Sequence, residues 1–207
     1  MMEKQQQIPL IIDGISENIY AGFSVRLRSA LLDLLILAPF YVLILYINRV
    51  GTNVYYFTFI PNFAFLFWFS VYLVKRYGGT PGKLISGIKI LKIDGSDVDW
   101  KEAILRESIT LLLSVCFITL TLIALSKIDH HYYENLNWKE KSKYIKTFAP
   151  FLFVIHKWTS LIWTTSELLV LFTNTRQRAI HDFMANTVVV KVKYLNSIRE
   201  AMSIENK

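Results

Sequence analysis

Cysteine, glycine, proline and charge are all scarce in this chain. Its 207 residues include one cysteine, eight glycines and five prolines, and only 19% of them are charged. A single thiol excludes an intrachain disulfide and any metal site built from several thiolates. We expect Cys116, which lies in an apolar stretch, to be buried as a small hydrophobic side chain.

Hydrophobic residues, by contrast, make up 53% of the chain, with 14 Phe and 11 Tyr. They occur in long blocks, a pattern too apolar for a typical soluble domain. The net charge of +7 would suit nucleic acid or an anionic membrane surface. Because apolar blocks separate the basic residues, we interpret the excess as a membrane topology signal and expect no nucleic-acid partner.

Four apolar segments predict the fold class, which is an all-α integral membrane protein with four, and at least three, transmembrane helices. Roughly 20 residues at about 1.5 Å each cross a hydrocarbon core of ~30 Å. The predicted spans cover approximately residues 27–47, 54–74, 108–125 and 158–172. Pro61 and Asn62 lie inside the second span, where a kink or a freed backbone group is expected.

The fourth segment admits two interpretations, because His156 and Lys157 interrupt it. One is a long tilted helix over residues 148–172. The other, which we favour, begins the span at Trp158 in the aromatic belt of the membrane. Lys157 would then reach the surface, and residues 147–156 would lie along the interface.

Membrane topology follows from the Lys and Arg content of the loops. The connection between the first two spans holds only Arg49, whereas residues 75–107 hold seven such residues. This contrast predicts that the loop 75–107 and both termini are cytoplasmic, as in a bacterial inner or plasma membrane. The five lysines of residues 127–147 disagree, since that loop would lie outside.

The loop 75–107 and the C-terminal end predict a small cytoplasmic β platform. Residues 88–93 alternate in part, Asp94-Gly95 supplies a tight turn, and residues 187–192 are rich in β-branched side chains. Asp99 is expected to cap the helix that leads into the third span. The chain thus divides into a polar N-terminal segment 1–20, a transmembrane domain 21–193 and a tail 194–207.

Ionisable residues within apolar helices are costly and are therefore functional candidates. Asp33 lies in the first span, and Arg26 precedes it by about two turns on the same face. Glu167 should lie at a similar depth in the fourth span, with Arg178 and Asp182 just beyond it. We expect these acids and arginines to cluster at the cytoplasmic side. The cluster would either brace the helices, hold a proton or cation at Asp33 and Glu167, or bind a partner.

Four motifs resemble those of the RDD family of membrane proteins, which is named for one arginine and two aspartates. In order, they are Ala21-Gly22-Phe23 with Arg26 and Asp33, Thr80-Pro81-Gly82-Lys83 with Gly87 and Asp94-Gly95, Arg106-Glu107, and Arg178-Ala179-Ile180-His181-Asp182 with Thr187-Val188-Val189-Val190. By this match the named residues are Arg26, Asp33 and Asp182. The resemblance implies a polytopic membrane fold, and transport has been proposed for the family.

One position departs from the family pattern. Where the family usually has Ala-Gly-Thr, this chain has Ala185-Asn186-Thr187. If the glycine adopts a positive φ, the turn should survive here, because Asn tolerates that conformation better than other non-glycine residues.

Other motifs are weaker. Thr80-Pro81-Gly82-Lys83 lacks the frame of a phosphate loop, and we interpret it as a helix stop with a membrane-surface lysine. His130-His131 with Glu134 has the residue types of a metal site but better fits a solvated loop, so no metal is expected. His181 beside Asp182 would either relay a proton or form an interfacial hydrogen bond. No catalytic triad or hydrolase motif is recognised, so we expect neither an enzyme nor a cofactor.

The leading functional hypothesis is a small transporter that exchanges cations for protons. Asp33 and Glu167 would bind the ion or proton, while Arg26 and Asp182 would set the charge balance. Four spans enclose little volume, which favours a homo-oligomer. The rival is a non-transporting subunit that docks a membrane or cytoplasmic protein through the loop 75–107 and the C-terminal strand. Both hypotheses place the chain in a lipid bilayer.

Overall fold

The computed structural model describes residues 7–48 and 51–204, apart from the side chains of Thr52, Trp138 and Ile204. Arg49, which the loop comparison uses, lies outside these residues. The elements follow in the order α1 (Phe23–Ile47), α2 (Thr52–Phe67), a π-helical turn (Trp68–Tyr72), α3 (Leu73–Tyr77), α4 (Pro81–Ile85), β1 (Ile88–Lys92), α5 (Trp100–Leu125), α6 (His130–Glu134), α7 (Trp138–Thr147), α8 (Pro150–Thr173), α9 (Ile180–Met184), β2 (Thr187–Lys191), a 3-10 turn (Val192–Tyr194) and α10 (Leu195–Ile204).

Three helical segments are long and apolar enough to cross a bilayer, namely Phe23–Ile47, Asn53–Tyr77 and Trp100–Leu125. They confirm the first three predicted spans. Their apolar side chains face outward: Leu35 is 68% exposed, Phe57 77% and Leu112 58%. Apolar surface of this extent on single helices requires an apolar environment, which a bilayer supplies. Three apolar helices of membrane length indicate a multi-pass membrane protein.

The single cysteine does not behave as predicted. Cys116 is exposed on α5 instead of buried. An apolar stretch in a membrane helix is apolar on every side, so the composition around a residue does not reveal whether it faces protein or lipid.

The fourth apolar segment forms one unbroken helix, α8, from Pro150 to Thr173. The helix thus continues through His156 and Lys157 without interruption, as in the interpretation of one long helix. Proline is well tolerated at the first position of a helix, since its missing N–H has no partner there. The interrupting His156 is accommodated because its Nε2 lies 3.0 Å from the carbonyl oxygen of Leu113.

Helix α5, which contains the third predicted span, begins at Trp100, before the apolar stretch that starts at residue 108. Asp99 immediately precedes α5, as predicted for a cap, and its backbone N–H donates to Glu102 Oε2 at 3.2 Å. A hydropathy boundary marks only where the apolar stretch starts. Helix α5 therefore includes Arg106 and Glu107, two charged residues that precede the predicted span.

The chain forms two compact units. The first, called here the sheet unit, comprises the described residues up to Leu37, Trp68–Glu107 and those from Ser166 onward. Its antiparallel strands β1 and β2 pair Ile90 with Val189. The predicted pairing of these two segments is thus confirmed. The buried core includes residues from both chain ends, which are Ile8, Ile19, Tyr20, Leu91, Ile93, Val188, Val190, Ile198 and Met202.

Two turns shape the sheet unit. Gly95 has a φ of +83°, and its N–H donates to Lys92 O, which forms the tight turn predicted at Asp94-Gly95. Asn186 has a φ of +53° directly before β2. The substitution of Asn for the usual glycine therefore preserves the turn, as predicted, because Asn tolerates the left-handed region.

The second unit, called here the helix unit, comprises Ala38–Phe67 and Ser108–Thr165. Its buried core consists of Ala124, Leu125, Ile128, Tyr133, Ile145 and Phe153. Helix α7 begins with a capping box, in which the Asn137 side chain accepts from the Glu140 N–H while the Glu140 carboxylate accepts from the Asn137 N–H. This reciprocal pair satisfies two helix-terminal donors and holds α7 in place.

Candidate functional site

The centre of the sheet unit's polar cluster is the carboxylate of Asp182, on the short helix α9. This residue is fully buried. Its Oδ2 accepts from Arg26 Nη1 at 2.9 Å and from the Ala179 N–H at 3.0 Å. Its Oδ1 accepts from the guanidinium of Arg106 and from Thr187 Oγ1, the latter at 3.3 Å. Four donors fill the accepting capacity of a carboxylate, so the burial cost of its charge is offset.

The two arginines reach Asp182 from the first turn of α1 and the second turn of α5. Arg26, on α1, also donates to Ala21 O at 3.0 Å and to Gln177 O at 2.6 Å. Gln177 has a φ of +52°, an uncommon conformation for a residue with a side chain. Arg106, on α5, donates to Thr187 Oγ1 at 3.1 Å. One acid thus joins α1, α5, α9 and the start of β2.

Arg178 donates to backbone carbonyls in the same region and not to a carboxylate. Its Nε donates to the carbonyl of Thr187 and its Nη2 to the carbonyl of Asp182, both at 2.9 Å. The guanidinium also lies 4.1 Å from the centre of the Phe183 ring. Arg178 precedes Asp182 by four residues, but α9 begins only at Ile180, so the two do not form a side-chain pair on one helix. The contact is therefore with the backbone of Asp182 and not with its carboxylate.

Asp33 binds a different partner, the Thr80-Pro81-Gly82-Lys83 segment. Its Oδ2 accepts from Thr80 Oγ1 at 2.6 Å, and its Oδ1 accepts from the Gly82 N–H at 2.7 Å. Lys83 Nζ lies 3.9 Å from Oδ2. The carboxylate satisfies an otherwise free N–H at the start of α4, so it joins this segment to α1.

Glycine is required at position 82. A Cβ added there would lie 2.7 Å from both the backbone nitrogen and Oδ1 of Asp33. Non-bonded contacts this short do not occur without displacement of the backbone. The motif is thus a close helix-to-helix contact with a lysine beside it, and burial followed by the charge of Arg106 lowers the pKa of Lys83 below its ordinary value.

Glu167, on α8, contacts His181. Its Oε1 accepts from the His181 N–H at 2.9 Å, and its Oε2 contacts His181 Nδ1. Burial, together with the positive charges of Arg106, Arg26 and Lys83, lowers the pKa of His181 well below its ordinary value of 6.5. The imidazole is therefore neutral at pH 7, and a proton on Nδ1 donates to the Glu167 carboxylate.

The structure brings together only part of the predicted cluster. Arg26 and Asp182 are in direct contact. His181 connects Glu167 to this pair, because its N–H donates to Glu167 and its Nε2 lies 3.7 Å from Asp182 Oδ1. Asp33 instead belongs to the contact with the Thr80 segment.

Sequence reasoning placed Arg106 in a motif but left it out of the charge cluster. The signal for its role was present, since a cation at the start of an apolar helix needs a buried acid as partner.

The comparisons with known proteins bear on the whole arrangement. A model described as the RDD family matches residues 20–186 of the 207 residues. The chain belongs to the RDD family. This confirms the resemblance to the family that the sequence motifs indicated. No curated protein and no solved structure matches the chain significantly.

Proposed function

We propose that this RDD protein is a small membrane transporter that exchanges protons for a cation, with Glu167 as the group that binds either one. In this proposal α8 is the fourth span, and the loop 75–107 with both termini lies on the cytoplasmic side of a bacterial inner or plasma membrane. Asp33, which the sequence suggested as a second binding residue, would position the Thr80 segment. Arg26 and Asp182 would set the charge around Glu167.

One observation carries the proposal: Glu167 lies on the largely apolar helix α8 and, among the described residues, forms no salt bridge with a lysine or arginine. Asp182 has two arginines and Asp33 has Lys83, whereas within the described part of the chain no Lys or Arg nitrogen lies within 4.0 Å of the Glu167 carboxylate. An acid in an apolar helix is expensive unless its charge is compensated. A proton or a cation would supply that compensation in turn.

The chemistry of exchange requires competition for one site. A carboxylate binds a proton covalently through one oxygen, and a metal cation binds its ionised form. Occupation by one therefore excludes the other. The neutral His181 leaves the site with one negative charge, which a monovalent cation would balance. Its Nδ1–H would orient the carboxylate without neutralising it.

The experiment is a flux measurement in liposomes. Purified protein should dissipate an imposed pH gradient when Na⁺ or K⁺ is added outside. Glu167→Gln should abolish this flux, because an amide keeps the shape but binds neither a proton nor a cation at neutral pH. The matched control is Glu107→Gln, an equal change in another partly buried acid of the sheet unit, which should retain flux. No flux above empty liposomes, or equal flux from Glu167→Gln, would contradict the proposal.

A second candidate is a non-transporting subunit that docks a partner protein, and the saturated bonding of Asp182 favours it. A carboxylate with four donors between two helices and a strand is suited to a rigid platform. Docking would use the turn at Asp94-Gly95, because Val188, Val189 and Val190 of β2 are fully buried. Replacing this turn with a different loop should then lose a co-purifying protein while flux in liposomes is absent from the start.

A further inference from the structure

The helix unit contains two adjoining cavities that the proposed transport site does not use. The larger has a volume of about 550 Å³ and the smaller about 140 Å³. They share four lining residues, which are Asn48, Tyr55, Phe117 and Thr121. The larger volume is in the range of small-molecule sites in proteins. The shared wall makes them one groove.

The walls of this groove are apolar and open to the side. Leu45, on α1, and Phe117, on α5, line the larger cavity and are 62% and 46% exposed. Both lie in membrane-length segments. Ile145 and Phe153 complete the apolar lining. A hydrocarbon chain could therefore enter from the bilayer and bury apolar surface on both of its sides.

Two lysines line the larger cavity. They are Lys141 and Lys146, both on the capped helix α7. The ammonium of Lys141 lies 5.1 Å from the centre of the Tyr133 ring, which also lines the cavity. Among the described residues, neither lysine forms a salt bridge with a carboxylate. The cavity thus combines an apolar wall with two positive charges that lack an acid partner.

We infer that this groove binds an anionic phospholipid, with an acyl chain along Leu45 and Phe117 and the phosphate at Lys141 and Lys146. A headgroup phosphate complements the lysines, and the chain complements the exposed apolar wall. A lysine near an anionic lipid strengthens binding about fivefold. This role gives a function to two of the five lysines of residues 127–147, which the topology count left in conflict.

The test is native mass spectrometry of the purified protein after exchange into phosphatidylglycerol or phosphatidylcholine. We expect one phosphatidylglycerol molecule to be retained and phosphatidylcholine to be lost. Lys141→Gln with Lys146→Gln should reduce the retained fraction about 20-fold. The matched control, Lys127→Gln with Lys143→Gln, removes the same charge from exposed positions that do not line the groove. It should change retention less than twofold.

Two results would overturn the inference. Equal loss in both double variants would mean that general surface charge attracts the lipid and that the groove does not. Equal retention of a dihexanoyl phosphatidylglycerol would mean that the apolar wall contributes nothing, since a short chain buries little of it. We expect the short-chain lipid to bind at least tenfold more weakly.

Discussion

Asp182 and Glu167 are acids of the same unit, 15 residues apart in sequence, with contrasting surroundings. The carboxylate of Asp182 accepts from four donors, two of them arginines. Among the described residues, the hydrogen-bond and ion-pair contacts of the Glu167 carboxylate are with the backbone and ring of His181. A charge with all its hydrogen bonds made is held permanently, whereas one without a cation is free to take up another ion. Asp182 therefore joins structural elements, whereas Glu167 is the acid to which our proposal assigns ion exchange.

The largest expected effect on stability comes from removing the negative charge of Asp182. Asp182→Asn leaves the buried guanidinium of Arg106 without its carboxylate and should destabilise the protein by about 3 to 5 kcal/mol. Glu167→Gln removes no salt bridge with an arginine or lysine and should change stability by less than about 1 kcal/mol. Thermal unfolding in detergent should thus show a Tm lowered by roughly 10 °C for the first variant only. Equal Tm values for the two variants would contradict the contrast between the Asp182 and Glu167 carboxylates.

Asp33→Asn should have the next largest effect. The amide has one acceptor oxygen instead of two, so either Thr80 or the Gly82 N–H loses its partner at the start of α4. We expect a loss of about 1 to 3 kcal/mol, measured by the same unfolding experiment. Gly82→Ala should give a similar loss, because its methyl group would collide with Asp33. A wild-type Tm in both variants would show that this contact does not stabilise the fold.

The membrane helices, the strand pair and the turn at Gly95 could be predicted from sequence because each depends on local pattern. Apolar length, alternation and an Asp-Gly pair are all read within a few residues. The partners of Asp33 and Asp182 depend on residues 47 and 76 positions away, Thr80 and Arg106. No local pattern encodes such pairs. The continuity of α8 through His156 could not be predicted for a related reason, since the carbonyl that His156 contacts lies on another helix.

A smaller effect is expected at the turn before β2. Asn186→Ala places a residue with a Cβ and no compensating side chain at a φ of +53°, which should cost about 1 kcal/mol. Asn186→Gly restores the usual family residue and should be neutral within a few tenths of a kcal/mol. If Asn186→Gly is instead more destabilised than Asn186→Ala, the contacts of the Asn side chain, and not its backbone conformation, determine stability at this position.

The smallest expected effect is on the dependence of stability on pH. Because the pKa of His181 is lowered in the fold, the unfolded chain binds a proton at His181 more readily than the folded chain. The stability from this residue is present above pH 6.5 and is lost as pH falls toward the lowered folded pKa. His181→Gln should therefore show a smaller fall in Tm between pH 7 and pH 5. An unchanged slope would mean that His181 is not buried in its neutral form.

Proton release on cation binding tests the contrast between the two acids most directly. Weakly buffered, detergent-solubilised protein should release up to one proton per chain when Na⁺ or K⁺ is added, because cation and proton compete for Glu167. The account predicts release from the wild type and from Glu107→Gln, and none from Glu167→Gln. Release from Glu167→Gln equal to that of the wild type, or no release from the wild type, would contradict it.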